Sequence, residues 1–176
     1  MAITKLGANA ITSLPAGVGG KVLQVVSTHF TDTATTNSAT PVDVSGFSAT
    51  LTPSSTSSKI YIMATVALGG TSTYPYYICQ RQISGGANTN LGLGSNATGL
   101  QVNTLASARM HNTAVDFQMC ATNFLDTPNT TSTITYQIQF ASPYTNPGYI
   151  NRQASAVNAV YVQFPVSSIT VMEVSA

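Results

Sequence analysis

Five carboxylates, two histidines and two cysteines are the residues of this chain that could take part in acid–base, metal or thiol chemistry. The acids are Asp32, Asp43, Asp116, Asp126 and Glu173, and no two have a spacing that suggests the shared work of a glycosidase pair. Their convergence in space is left to the fold. His29 and His111 are far apart in sequence, and no spacing of zinc-site type exists. Cys79 and Cys120 are too few for a disulfide framework. Both lie in apolar, strand-like runs (YYICQRQI and VDFQMCAT), where buried thiols serve as small hydrophobes and a cross-strand disulfide is the alternative. The Gly-rich stretch ISGGANTNLGLG lacks the Lys-Ser/Thr ending of a phosphate loop and reads as a hairpin loop. In LDTPN, Asp126 suits a tight turn in which its carboxylate accepts backbone N–H bonds, with a calcium-ligand role as the alternative. Glu173, set between Met172 and Val174, is expected to pair with Arg81, Arg109 or Arg152. The triplets starting at Asn96 and Asn129 are of the kind that a Thr-rich chain produces by chance. No catalytic residue, cofactor or metal site is expected, and the chain is not read as an enzyme.

The composition points the same way. Only 6% of the 176 residues are charged, against roughly 25% in an ordinary soluble domain. Ser, Thr, Asn and Gln solubilise the surface instead. A neutral amide costs less to bury than an unpaired charge, so such a surface suits repeated, tightly packed contacts. The net charge of +1 and the scattered Lys and Arg exclude the basic stripe that nucleic-acid binding needs. No apolar run approaches the roughly 20 residues of a membrane span. The opening MAITKLGANAITSLPAGVGG has no continuous apolar stretch and is not read as a secretory signal. Export by lysis, as in a phage, is compatible with that.

Two segments follow from composition and periodicity. Residues 1–20 are rich in Gly, Ala, Ser and Asn, with Ile3, Leu6, Ile11 and Leu14 spaced along them. They read as an extended arm that would anchor to a partner, the alternative being a loose terminus. Residues 21–176 read as a body of short strands between polar turns, at 21–27, 42–51, 59–67, 76–83, 91–94, 114–122, 133–140, 158–164 and 168–174. In TITYQIQF, Ile134, Tyr136, Ile138 and Phe140 share one face; in NAVYVQF, Val160, Val162 and Phe164 do. Strands of this number and spacing imply an all-β sandwich, jelly roll or closed barrel. KIYIMATVALGG and SITVMEV are apolar on both faces, and in a two-layer sandwich the outer face then calls for a neighbouring subunit.

The stretch FLDTPNTTSTITYQIQF, followed by GYINR and SSITVMEV, and the opening ITSLPAGVGGKVLQVV resemble a family of small structural proteins of tailed phages of marine and freshwater bacteria. Their strand pattern is similar to the trimeric jelly roll of complement globular heads and tumour-necrosis-factor ligands. The resemblance implies a jelly-roll homotrimer packed through strand faces. Tyr74, Tyr76, Tyr77 and Tyr161, with Ile169 and Val171 of the terminal strand, are then the expected interface residues. It also implies a virion role as a capsid decoration (cement) protein on the outer surface of the head, its arm lying on the major capsid protein. Ile3, Leu6, Ile11 and Leu14 would fill pockets there, and trimeric valency would multiply weak contacts. The alternative is a receptor-binding fibre tip or tail spike head, joined to tail proteins, with loops 84–90 or 142–148 recognising host surface glycans. On the first reading, removal of residues 1–20 leaves a folded trimer that no longer attaches to capsids. Full occupancy of heads by the truncated protein would refute the anchoring assignment.

Overall fold

The computed structural model describes residues 20–111, 113–155 and 157–175. The anchoring positions Ile3, Leu6, Ile11 and Leu14 lie outside these. The described chain is all-β, two antiparallel sheets packed face to face. Its strands are β1 (Val22–Phe30), β2 (Ala34–Thr36), β3 (Val42–Leu51), β4 (Lys59–Gly70), β5 (Tyr76–Ile83), β6 (Asn88–Leu91), β7 (Ala106–Ser107), β8 (Phe117–Asp126), β9 (Ile134–Ala141), β10 (Gly148–Ile150) and β11 (Ser167–Val174).

In the first sheet β1 pairs with β11, β11 with β4, and β4 with β8 on its other edge. The short β10 and β2 continue beside the far end of β4, so β11 and β10 share one edge of that strand in succession. The second sheet runs β3-β9-β5-β6, with β7 beside the start of β5. With the short β2, β7 and β10 set aside, first pairs with last and second with next-to-last, the order expected of a jelly-roll winding.

Alternation fixes the register. Ile60, Ile62, Ala64, Val66 and Leu68 of β4 face inward and are buried. From the opposing sheet Ile134, Tyr136, Ile138 and Phe140 of β9 meet them, the face that the sequence period predicts. Each large aliphatic side chain contributes about 1.5–3 kcal/mol by leaving water. A one-residue slip of β4 would turn four of them outward and cancel much of a typical net stability of about 5–15 kcal/mol. A bulge in β3 solves a packing problem: between Asp43 and Ser48 the register shifts, and Gly46 takes a φ of +79°. Val44 and Phe47, three apart, can then both face the core, and Phe47 stacks on Phe30 with ring centroids 5.0 Å apart. Gln137 Nε2 donates to Val44 O at 2.7 Å and so supplies a partner the bulge would otherwise leave without one.

Several boundaries depart from the sequence reading. Residues 158–164 form no strand but a turn, with Val160 98% exposed. The alternation there fails because the segment has no strand to pair with. Strand 91–94 lies earlier, as β6, and 114–122 later, as β8; β2, β7 and β10 are too short for a periodic signal. The outer face of the far half of β4 needs no second subunit. Asn151 N donates to Ala67 O at 3.0 Å, and the chain then crosses over that face. A Cβ on Gly69 would lie 2.1 Å from the Arg152 carbonyl oxygen. Gly69→Ala should therefore destabilise the fold by about 1–3 kcal/mol, read in thermal unfolding as a Tm roughly 2–4 °C lower per kcal/mol. Gly94→Ala, where an added Cβ has ordinary contacts only, should change stability by less than about 0.5 kcal/mol. Equal melting of both variants would show that the crossing segment yields freely.

Candidate interaction surfaces

The ionisable groups are mostly consumed by the fold. At one end of the inner face, Gln24, Glu173, Ile60 and Asp126 form one cross-strand row of the first sheet. The two acids flank a fully buried isoleucine, and each finds its own solution. Asp126 accepts from Arg81 Nη1 at 2.7 Å and from the Tyr136 hydroxyl at 2.9 Å, both on the opposing sheet. That link bridges the two layers. Burial and the Asp126 charge push the Tyr136 phenol well above its ordinary pKa, so it stays protonated and donates.

Glu173 pairs with no arginine, contrary to the sequence expectation. Its Oε1 accepts from the Ser54 backbone N–H and hydroxyl, each at 2.7 Å, and its Oε2 accepts from Gln24 Nε2 at 2.6 Å. Burial raises its pKa, but hydrogen bonds from Ser54, Gln24 and Ser58 outweigh that and bring it down to about 2. The turn role expected for Asp126 also gives way, because its oxygens point into the core. Asp43 accepts from Gln139 Nε2 at 2.6 Å, and Asp116 from His111 N at 3.1 Å. No group of three or more His, Cys, Asp or Glu that could hold a metal occurs among the described residues. Cys79 and Cys120 are free and buried on opposite sheets, and burial lifts the Cys79 thiol to about 12.

Of the residues expected at a subunit interface, Tyr76, Tyr77, Ile169 and Val171 are buried within the single chain. Tyr77 packs in the core and its hydroxyl bonds with Thr122 across the layers at 2.9 Å. Ile169 and Val171 point inward from β11, and Tyr76 lies under Leu93 on the far side of the second sheet. These four are a correction: Tyr77, Ile169 and Val171 are covered by the opposing sheet, and Tyr76 on the outer face by the chain's own Leu93. Tyr74 and Tyr161 remain at the surface.

Another set is brought together instead. On the outer face of the first sheet, register places Val25, Met172, Tyr61 and Leu125 side by side across β1, β11, β4 and β8. Val25 is 54% exposed and Leu125 51%, with Tyr61 and Met172 half-buried between them. Met63 lies in the next row and Met119 farther along β8. The acids on these four strands, Glu173 and Asp126, point inward, so the strands themselves present no side-chain carboxylate on this face. Apart from this row, the loop after β10 exposes Val157, Val160, Tyr161, Phe164 and Val166. This loop is anchored by Ser155 N donating to Ala114 O and, within itself, by Gln163 N donating to Gln153 Oε1. Double apolarity of β4 and β11 signals part of this face; Leu125 of β8 carries no such signal, because only register sets it beside Tyr61.

No family model matches the sequence, and no curated protein is significantly similar to it. Among solved structures, the chain is similar to that of infectious bursal disease virus Gx strain, at 11% identity and a TM-score of 0.43 over 87% of this chain and 37% of that one. The Gt strain structure of the same virus gives 10% identity and a TM-score of 0.41 over 88% and 39%. The chain thus spans well under half of either, and likeness at this level assigns no role.

The Glu173 site makes stability depend on acid. A carboxylate with a depressed native pKa stabilises the fold above its ordinary value of 4.5, and that contribution is lost as pH falls towards 2. Thermal melts should show this acid limb between those values. Glu173→Gln places an amide N–H against donors, so it should cost about 1–3 kcal/mol at neutral pH and flatten the limb. An unchanged limb in the variant would assign it to another group.

Proposed function

We propose that this chain is a structural protein of a virion: a homotrimer that decorates the outer surface of the capsid and has no enzymatic role. The observation that carries the reading is the apolar row Val25–Met172–Tyr61–Leu125 on a sheet face whose strands present no side-chain carboxylate. An exposed apolar row of this kind favours association. Threefold stoichiometry comes from the resemblance to trimeric jelly rolls, and the strand order supports the jelly-roll part of that resemblance. The near-absence of charge suits a protein that packs against copies of itself and a capsid lattice. The engagement of Asp126, Glu173, Asp43 and Asp116 by structural partners supports the non-enzymatic part. Residues 1–20 serve as the anchor to the major capsid protein in this reading.

Quantitative mass spectrometry of purified virions tests it. A copy number comparable to that of the major capsid protein supports decoration; a handful of copies per particle would move the protein to the tail and overturn it. Self-association has its own test. Leu125 is surface-exposed in the single chain, so Leu125→Asp should keep the fold but charge the row. Sedimentation should then report a monomer where the parent chain is a trimer. A variant that stays trimeric would place the interface elsewhere.

A further inference from the structure

The turn joining β4 to β5 gathers side chains that neither the core nor the apolar face uses. Tyr74 and Tyr144 are 46% and 57% exposed. Their rings stand edge to face, centroids 5.8 Å apart at 85°. With Ser72, Arg109, Met110 and His111 they line an open pocket of about 280 Å³. Its walls are fixed by the fold. Ser72 N donates to His111 O at 2.8 Å and Met110 N to Thr73 O at 2.9 Å. The Tyr144 loop is held by Asn146 Nδ2 donating to Thr71 O at 2.9 Å and by the Ser142 hydroxyl donating to Asn146 O at 3.0 Å. The pocket is thus built before any ligand arrives.

Charge is what makes the pocket selective. In a chain with three arginines, Arg81 is locked to Asp126. Arg152 lies over the Tyr149 ring and donates to the Gln153 and Ala154 carbonyls. Arg109 is the arginine whose guanidinium has no partner among the described residues, and it opens onto the pocket. His111 beside it is oriented by Asp116, Nδ1 to Oδ2 at 3.5 Å.

We propose that this pocket binds one acidic pyranose, a sugar ring carrying a carboxylate, as the terminal unit of a surface glycan. The C–H face of a pyranose is weakly positive and meets the negative face of a tyrosine ring. A carboxylate matches the guanidinium fork of Arg109 in two parallel hydrogen bonds. The tyrosine hydroxyls supply neutral donors and acceptors for ring hydroxyls. The volume sits at the lower bound of small-molecule sites, which suits a single ring. A lone guanidinium does not make a phosphate-tracking surface, so a nucleic acid is the poorer fit. The proposal does not rest on the decoration role: its failure leaves that role untouched, and it applies equally on a head or a tail.

The test is an NMR titration of the full isotope-labelled chain with D-glucuronate and with N-acetylneuraminate, using D-glucose as the neutral comparator. At least one acid should shift resonances confined to residues 72–74, 109–111 and 142–146, with glucose roughly tenfold weaker or worse. Arg109→Ala should remove the preference for the acid, and Tyr144→Ala should weaken acid and neutral sugar alike. Both side chains are exposed, so an unchanged Tm establishes that each variant is folded. Absence of shifts with both acids, shifts elsewhere on the sandwich, or an unaffected Arg109→Ala variant would each overturn the proposal, leaving the tyrosine pair as a protein contact.

Discussion

Strand β4 is the constraint on which the rest of the molecule depends. Both its edges are hydrogen-bonded, β8 along one and β11 then β10 along the other. Its inner face is dry from Ile60 to Leu68. A strand held on two edges and one face has no freedom of register. The cross-strand rows of the first sheet are therefore set by it: Val25 can meet Met172, and Tyr61 Leu125, only because β4 fixes β11 and β8 relative to each other. The outer apolar row and the inner acid row are two readouts of the same register.

A chain with so few charges must still place those it has. Burying a carboxylate without partners would cost several kcal/mol, so both inward acids sit at the end of the core, where donors reach them from outside the first sheet. Arg81 and Tyr136 clasp the two layers through Asp126, while Ser54 and Gln24 close the corner over Glu173. With these groups committed to structure, the described surface offers apolar side chains, hydroxyls and amides, the exposed Lys21, Lys59 and Asp32, and the guanidinium of Arg109. The proposed self-association would use the apolar row, and the proposed recognition of a sugar acid the guanidinium.

Much of the fold was legible. Alternation in β9, the two-faced apolarity of β4 and the turn residues between strands determined an all-β sandwich, and β3, β5, β9 and β11 fall at or within a residue of where periodicity places them. The errors have physical causes. NAVYVQF alternates as a strand would, yet it pairs with no strand, and β11 and β10, on either side of it in the chain, already occupy the adjoining edge of β4. Period-two patterning says which residues share a face, never which face is the core. Tyr77, Ile169 and Val171 were accordingly expected at an interface and lie in the core, while Tyr76 keeps to the outer face of the second sheet and is covered by the chain's own Leu93.

What the sequence determined by itself is what local chemistry controls: strand content, a surface solubilised by amides and hydroxyls, and acids unsuited to paired catalysis by spacing. The tertiary structure alone decided which donors meet Glu173, that Arg81 serves Asp126, that the Arg152 backbone covers Gly69, and that Tyr74, Tyr144 and Arg109 share a pocket. The reason is sequence separation. Each of these contacts joins residues from different loops or strands, and only the order in which strands are laid into two sheets brings them together.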